Sequence, residues 1–351
     1  MKRILFCCQV LDTADPALSF FHEWIKKFTN KFDKITVIAL KVGKVDLPEK
    51  VQYFSLGKEI YSQRSFKRLF YIFNLIVYSW KTRNDYDTVF VHMNQEFILV
   101  TGLLWKILGK KIYLWYNHYS GNFFTNIASI FCDKIFFTSK GAYTSRFSRS
   151  IQMPVGVNID IFGNSVNRDK DKISKILFLA RISRSKRLED LIKAVSLAPL
   201  IQMEWSVQVT GPTISEDDKK YLSECRDMID DLGLTSRFVF TDGIPFTETP
   251  RLYSNFGIFI NCSKTGMYDK TIFEASASGC IVISSSVDYR DEVGDNYFFN
   301  FGDYTELSNK IVNILNLSKE NRYESIKLMK EVANRHSLDK LSEKIVKEIY
   351  G

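Results

Sequence analysis

SKTGMYDKTIFEASASGCIVISSS, residues 263–286, sets three elements in a row. A loop of small and polar residues leads into a short helix, and a buried strand follows. A helix N-terminus presents unpaired N–H groups and the positive end of a dipole, so it is a natural seat for an anion. Glu274 lies inside that helix, where a carboxylate can reach a neutral polar ligand. Ala275, Ser276, Ala277, Ser278 and Gly279 are small enough to let helix and sheet pack closely. Cys280 to Ile283 is a continuous apolar run of the kind a fully buried strand requires. Read alone, the stretch is also compatible with an ordinary loop–helix–strand unit of an α/β domain.

A second segment adds chemistry. Residues 176–192 read ILFLARISRSKRLEDLI. A buried strand runs from Ile176 to Ala180, Arg181 follows, and Lys186 stands just before an amphipathic helix. Two cations across a strand-to-helix turn make a clamp for a diphosphate, Arg as a planar fork and Lys as a point charge. The plain alternative is a solvated basic loop, since Arg184 and Arg187 stand there too.

With both segments in view, the chain resembles the GT-B-fold glycosyltransferases of the family-4, group 1 type, which are retaining and use nucleotide sugars. In that family Arg-x-x-x-x-Lys after a strand grips the donor diphosphate, and Arg181 and Lys186 match it. The family then carries a Ser-x-x-Glu-Gly-x-Gly loop and a second Glu eight residues after the first. Ser263 and Glu274 match, but Gly266 stands where the first Glu is expected. TGMYDKTIFEA resembles a branch with a Thr-Gly-x-x-Asp-Lys loop instead. Gly211 after WSVQVT, LGLTSRFVFTDGI (residues 232–244) and GVNIDIF (residues 156–162) also match.

The resemblance implies an α/β chain of two Rossmann-like domains, their parallel sheets facing across a cleft. The first would span 1–165, with a final helix at about 337–351 crossing back to it. The second, spanning 166–336, would bind the nucleotide sugar. It implies donor contacts from Gly211, Ser263, Thr265, Gly266, Met267, Asp269, Lys270, Thr271 and Glu274. Glu274 would accept from ribose hydroxyls, and Asp269 would replace the missing Glu on the donor sugar. Asp269 could instead cap the helix, and Lys270 could reach the phosphate or pair with Asp269. His118, one residue beyond the strand IYLWYN, would touch the transferred sugar. Asp15, His92, Asn94 and Asn117 are acceptor-side candidates, whereas His22 reads as a helix residue.

The pattern along the chain agrees with this. Strands are expected at 3–9, 34–40, 51–54, 87–92, 111–117 and 133–139, then at 175–180, 205–210, 237–241, 257–261 and 280–284, with helices between. Such alternation implies parallel sheets, whose ligands bind beyond the carboxyl ends of the strands. The polar stretch at 163–174 reads as a linker. A chain of 351 residues, 45% hydrophobic, can fill two cores. Lys2 and Arg3 before ILFCCQV read as the entry to a first buried strand rather than a signal segment. Cys7, Cys8, Cys132, Cys225, Cys262 and Cys280 lack metal-ligand spacing and suit a reducing cytoplasm.

No metal or cofactor is expected. No Asp-x-Asp pair sits in a suitable loop, and Asp217-Asp218 and Asp230-Asp231 read as solvated helix faces. Arg181, Lys186 and helix N-termini would meet the charge of the departing diphosphate. Without an evident nucleophile, a front-face substitution is the default. Removing either cation is expected to slow turnover with little effect on stability. Readings that remain open are another GT-B enzyme, such as a nucleotide-sugar 2-epimerase, and a non-catalytic sugar-nucleotide-binding protein. Cell-envelope glycan or lipid-linked acceptors are the usual role of such relatives.

The net charge is +8, yet no nucleic-acid-binding motif accompanies it. Part of it gathers at 58–83, where Lys58, Arg64, Lys67, Arg68, Lys81 and Arg83 flank LFYIFNLIVYSW (residues 69–80). That run is too short to span a bilayer. It reads first as a core helix with a basic end, and second as a site that docks on an anionic membrane. The second reading would place a cytoplasmic protein on the inner face of the cell membrane.

Overall fold

The computed structural model describes residues 1–15, 18–61, 66–163, 172–266 and 268–351. Pro16, Arg64, Met267 and most of the 163–174 stretch lie outside these. The chain forms two compact units, residues 1–156 with 338–351, and residues 157–337.

The first unit runs β1 (Arg3–Leu11), α1 (Phe20–Phe28), β2 (Lys34–Val42), β3 (Val51–Ser55), α2 (Lys58–Tyr61), α3 (Lys67–Lys81), β4 (Thr88–His92), α4 (Glu96–Ile107), β5 (Lys111–Trp115), α5 (Phe123–Phe131), β6 (Lys134–Phe137) and β7 (Ser150–Gln152). Its strands make one parallel sheet in the order β3-β2-β1-β4-β5-β6-β7. Successive residues of a strand point to opposite faces, and β1 shows the consequence. Ile4, Phe6 and Cys8 enter one core with Trp24 and Phe28 of α1. Leu5 and Cys7 enter the other with Leu75, Ile98 and Trp105 of α3 and α4. The short edge strand β7 had no clear periodic signal.

The second unit runs α6 (Ile159–Gly163), β8 (Lys175–Leu179), α7 (Leu188–Val195), β9 (Ser206–Thr210), α8 (Glu216–Asp231), β10 (Phe238–Thr241), α9 (Thr249–Tyr253), β11 (Ile258–Asn261), α10 (Lys270–Ala277), β12 (Ile281–Ser284), α11 (Val287–Val293), α12 (Tyr304–Leu315) and α13 (Lys319–Arg335). Its parallel sheet has the order β10-β9-β8-β11-β12. The order reverses direction at β8, where β9 leads one way and β11 the other. Such a switch point opens a crevice at the carboxyl ends. The last helix, α14 (Leu338–Tyr350), belongs to the first unit, where Leu341 and Ile345 join the core of Trp24 and Phe28. All six cysteines are buried free thiols.

Two expectations are corrected. The helix over 67–81 is not a core helix, because only Leu75 and Ser79 of it are buried. Its apolar run encodes an outward face as well as an inward one. Asp218 is not part of a solvated face either. It is buried at the third position of α8, where its carboxylate accepts from the Ser215 N–H at 3.1 Å while Ser215 Oγ accepts from the Asp218 N–H. This reciprocal capping satisfies two N–H groups that the helix start leaves orphaned.

Candidate active site

The carboxyl ends of β8, β9 and β11 gather the polar side chains of the second unit. β8 ends at Leu179, and Arg181 lies just past it. A single 3-10 turn, Arg184–Lys186, then carries the chain to α7. Arg187 takes a left-handed conformation, φ 51°, unusual for a residue with a Cβ. Its guanidinium forks onto buried Asp190 at 2.6 and 2.7 Å, which holds the turn. Arg184 pairs with Glu224. These two arginines therefore anchor the loop within its own unit.

Lys186 instead turns to the end of β11. Its Nζ donates to Asp269 Oδ2 at 2.7 Å and to Ser263 Oγ at 3.0 Å. Ser263 Oγ donates to the same carboxylate oxygen at 2.6 Å, and Asn261 Nδ2 does so at 2.9 Å. Ser284 Oγ in turn donates to Asn261 Oδ1. The lysine and aspartate side chains are 17% and 19% exposed. Burial would push the Asp269 carboxyl up, but Lys186 and the bonds from Lys186, Ser263 and Asn261 hold it below the usual carboxylate range. The three bonds described for this carboxylate all end on Oδ2. An ammonium has three N–H donors, and the two described bonds leave one.

Asp269 stands at the cap position of α10, yet its side chain makes no capping bond. It faces Lys186, so Lys270 is not its partner. Lys270 lies one turn from Glu274 on α10. Burial lowers its ammonium pKa well below the ordinary value, against the pull of the Glu274 carboxylate. Glu274 is buried and accepts from the Tyr253 hydroxyl at 3.1 Å. Burial pushes its carboxyl up to about 7, with Lys270 and Tyr253 acting in the other direction.

That shift has a sign that can be measured. The folded state holds a proton on Glu274 that the unfolded chain releases near the ordinary 4.5. Taken by itself, Glu274 contributes stability that is full below about pH 4.5 and is lost as pH rises through 7, while the depressed Lys270 ammonium beside it acts with the opposite slope, so the test lies in the difference between variant and native protein. Glu274→Gln, neutral throughout, should flatten this decline, so its melting temperature should gain on the native protein's between pH 5 and 8, to a first approximation. Parallel melting profiles across that range would show that Glu274 is not buried as described.

Gly211 follows β9 and allows the strand ends to approach. A Cβ there would lie 1.7 Å from the Ala180 carbonyl oxygen. Gly266, φ 102°, needs the backbone freedom of glycine. Thr265 Oγ1 accepts from the Val287 N–H, which ties the loop to the start of α11. Thr271 lies in the first turn of α10. Arg181 is 48% exposed and its Nε sits 3.9 Å from Asp218 Oδ2. The two cations of the proposed clamp thus each have a carboxylate of their own.

The first unit has a pocket of about 370 Å³ at the ends of β1, β4 and β5. Gln9, His92, Asn94, Gln95, Glu96 and His118 supply polar lining. Met93, at its rim, is held at φ 65°, a costly conformation for a long side chain and one that clusters at functional sites. Asn94 Oδ1 accepts from Gln9 Nε2 at 2.8 Å. His118 Nδ1 lies 2.7 Å from Ser120 Oγ. His92 is buried against Phe21 and Trp24, with ring centroids 4.6 and 5.7 Å away.

Residues 173–317 match the family model described as glycosyl transferases group 1. This stretch is a group 1 glycosyl transferase domain. Solved structures align with the whole chain. HepE of Anabaena in complex with UDP is 16% identical over 99% of both chains, with a TM-score of 0.76. A glycosyltransferase of Rickettsia africae is 16% identical over 99% of this chain and 98% of its own, TM-score 0.77. A sucrose-phosphate synthase of Thermosynechococcus elongatus is 14% identical over the same shares, TM-score 0.77. At such identity the likeness carries the fold, two parallel α/β sheets of GT-B type. No curated protein matches the sequence. With this family domain, the protein is an enzyme, a glycosyltransferase.

Within the glycosyl transferase domain, the structure brings Lys186, Ser263 and Asp269 into one network. Outside it, the residues expected on the sugar and acceptor side divide. His92, Asn94 and His118 line the pocket of the first unit. Asn117 and Asp15 do not. The Asn117 side-chain oxygen accepts from the N–H groups of Thr138 and Ser139, which ties the end of β5 to that of β6. Asp15 Oδ1 accepts from the Leu18 N–H within its own turn. His22 is a buried helix residue whose Nε2 accepts from the Asp46 N–H. Sequence reasoning missed Asn261, Gln9, Gln95 and Glu96. A polar residue ending a buried strand two positions before Ser263 was the available signal for Asn261.

Proposed function

We propose that the protein transfers a sugar, with retention of configuration, from a nucleoside-diphosphate sugar to a glycan or lipid-linked acceptor of the cell envelope. The Lys186–Asp269–Ser263–Asn261 network at the carboxyl ends of the second sheet carries this reading. It presents a cation for the diphosphate beside an ionised carboxylate for sugar hydroxyls. The structure of HepE, similar in fold, is a complex with UDP, and another holds UDP-glucose, so a uridine diphosphate sugar is the first donor to try.

In this reading the bond from the anomeric carbon to the diphosphate oxygen breaks. An acceptor hydroxyl attacks the same face, and its proton passes to the departing phosphate. Arg181 and Lys186 stabilise the developing charge without a metal. Asp269, through Oδ1, accepts from the donor sugar and stands in for the carboxylate that Gly266 lacks. Glu274 binds the nucleoside. His118 touches the transferred sugar, Asn94 and His92 hold the acceptor side in the pocket of the first unit, and the buried thiols suit a cytoplasmic setting.

A panel of nucleotide sugars, incubated with the protein with and without lipid extract, tests the reading through released nucleoside diphosphate. Release that depends on an acceptor supports transfer. Interconversion of the free nucleotide sugars would instead favour an epimerase, and binding without any turnover a non-catalytic sugar-nucleotide-binding protein.

A further inference from the structure

We propose that helices α3, α4 and α5 form a docking face for a bilayer containing anionic lipid, with the protein lying in the interface plane. The three helices are neighbours on one side of the first sheet, and each turns apolar side chains outward. α3 shows this most plainly. Its inward side carries Tyr71, Asn74, Leu75, Tyr78 and Ser79, and Asn74 Nδ2 donates to the Leu56 carbonyl there. Its outward side carries Leu69, Phe73, Ile76 and Trp80, spaced four, three and four residues apart along one helical face. A helix that is apolar on both sides should be covered on both sides.

The neighbouring helices expose apolar side chains as well. Phe73 is 65% exposed, Trp80 50%, Ile107 of α4 73% and Phe123 of α5 71%. The buried side of α5 carries Thr125 and Ala128, whereas Phe124 and Ile130 point out. Apolar patches of this breadth mark interaction sites on otherwise stable folds.

Charge selects the occupant. From residue 60 to residue 132 the sequence holds eight Lys and Arg but only three acids, Asp85, Asp87 and Glu96. Asp85 pairs with Lys34 and Asp87 with Arg3, both from strands outside this stretch, while Lys106 is paired with Asp133 just beyond it. The apolar face is therefore rimmed by basic residues, among them Lys67, Arg68, Lys81 and Arg83. A second copy of the chain would set two basic rims against each other. An anionic lipid surface accepts both the apolar centre and the basic rim. Trp80, with the Arg83 guanidinium 4.5 Å from its ring, has the amphipathic character that settles at a headgroup boundary. Among the described residues no helix is long and apolar enough to cross a membrane, which fits helices lying in the interface rather than spanning it.

The test uses the full chain and needs no nucleotide sugar, so its outcome is independent of the proposed transfer. The protein is sedimented with vesicles of phosphatidylglycerol and phosphatidylcholine, and with phosphatidylcholine alone. Trp24, Trp105, Trp115 and Trp205 are buried, so lipids with brominated chains report on Trp80. Expected are sedimentation on the anionic vesicles, release by salt, and fluorescence quenching that Trp80→Phe abolishes while binding persists. Phe73→Glu with Ile76→Glu should lower the bound fraction on the order of tenfold or more, since burying one such side chain is worth about that factor. Its melting temperature should stay unchanged, both positions being exposed. No sedimentation on anionic vesicles, equal sedimentation on neutral ones, or a dimer in which Trp80 is shielded without lipid would each overturn the proposal. If the double variant does not fold, the quenching comparison still decides.

Discussion

Lys186→Ala is expected to slow turnover by about 10²–10³-fold and to lower the melting temperature, whereas Arg181→Ala should do only the first. Both would remove a cation that meets the charge of the departing diphosphate. Only Lys186 also neutralises a largely buried carboxylate. Without it, Asp269 keeps the Ser263 and Asn261 donors but loses its counter-charge. An unmet buried charge of this kind costs roughly 1–3 kcal/mol or more, and in a unit of this size that is several degrees. Arg181 is half exposed and 3.9 Å from Asp218, a distance and exposure at which an ion pair contributes little. The sequence alone led to an expectation of stability-neutral effects for both cations. The ion pair revises it for Lys186. Thermal melts and single-turnover rates on the two variants check this. Equal melting temperatures would mean that the pair contributes nothing to the fold, and unchanged rates would remove the cations from the reaction.

Asp269→Ala should separate the two duties of its carboxylate. Turnover with the native sugar nucleotide is expected to fall by about 10²-fold or more, the scale of a lost charge-assisted bond in the transition state. Affinity for the free nucleoside diphosphate should hold or rise, because the variant frees the Lys186 ammonium from its carboxylate. The diphosphate alone has no sugar hydroxyls to miss the lost oxygen. A residue that only capped α10 would behave otherwise. Its loss would cost about 1 kcal/mol of stability and act equally on binding and turnover. The absence of a capping bond from this side chain already argues against that. Calorimetry with the diphosphate, kinetics with the sugar nucleotide and a melting curve on the same variant decide. Equal losses in affinity and rate, with a lower melting point, would make Asp269 a structural residue.

The strands were legible because a buried parallel strand leaves a run of apolar residues that local pattern alone reveals. Ile176, Leu177 and Phe178, or Ile281, Val282 and Ile283, identify themselves in this way. The residues proposed for the donor side were reached through a family motif whose spacing follows a strand-to-helix turn, and such turns are local. Partners were not. Lys186 and Asp269 are 83 positions apart, and nothing in either segment says that they meet. Lys270 and Lys186 were equally eligible cations for Asp269 on composition.

The sequence by itself determined that this chain builds two parallel α/β sheets, and where all their strands but the short edge strand β7 lie. Period and apolar run length decide that, since each strand must bury its own faces. Tertiary structure alone decided which polar groups satisfy one another and which faces stay bare. Asn117 looks like Asn94 in the sequence, but one holds two backbone N–H groups and the other lines a pocket. The apolar run at 69–80 looks like a core helix, but a helix can bury only as much as its neighbours cover. Here, among the described residues, the sheet covers one side and the apolar side chains of the other stay exposed.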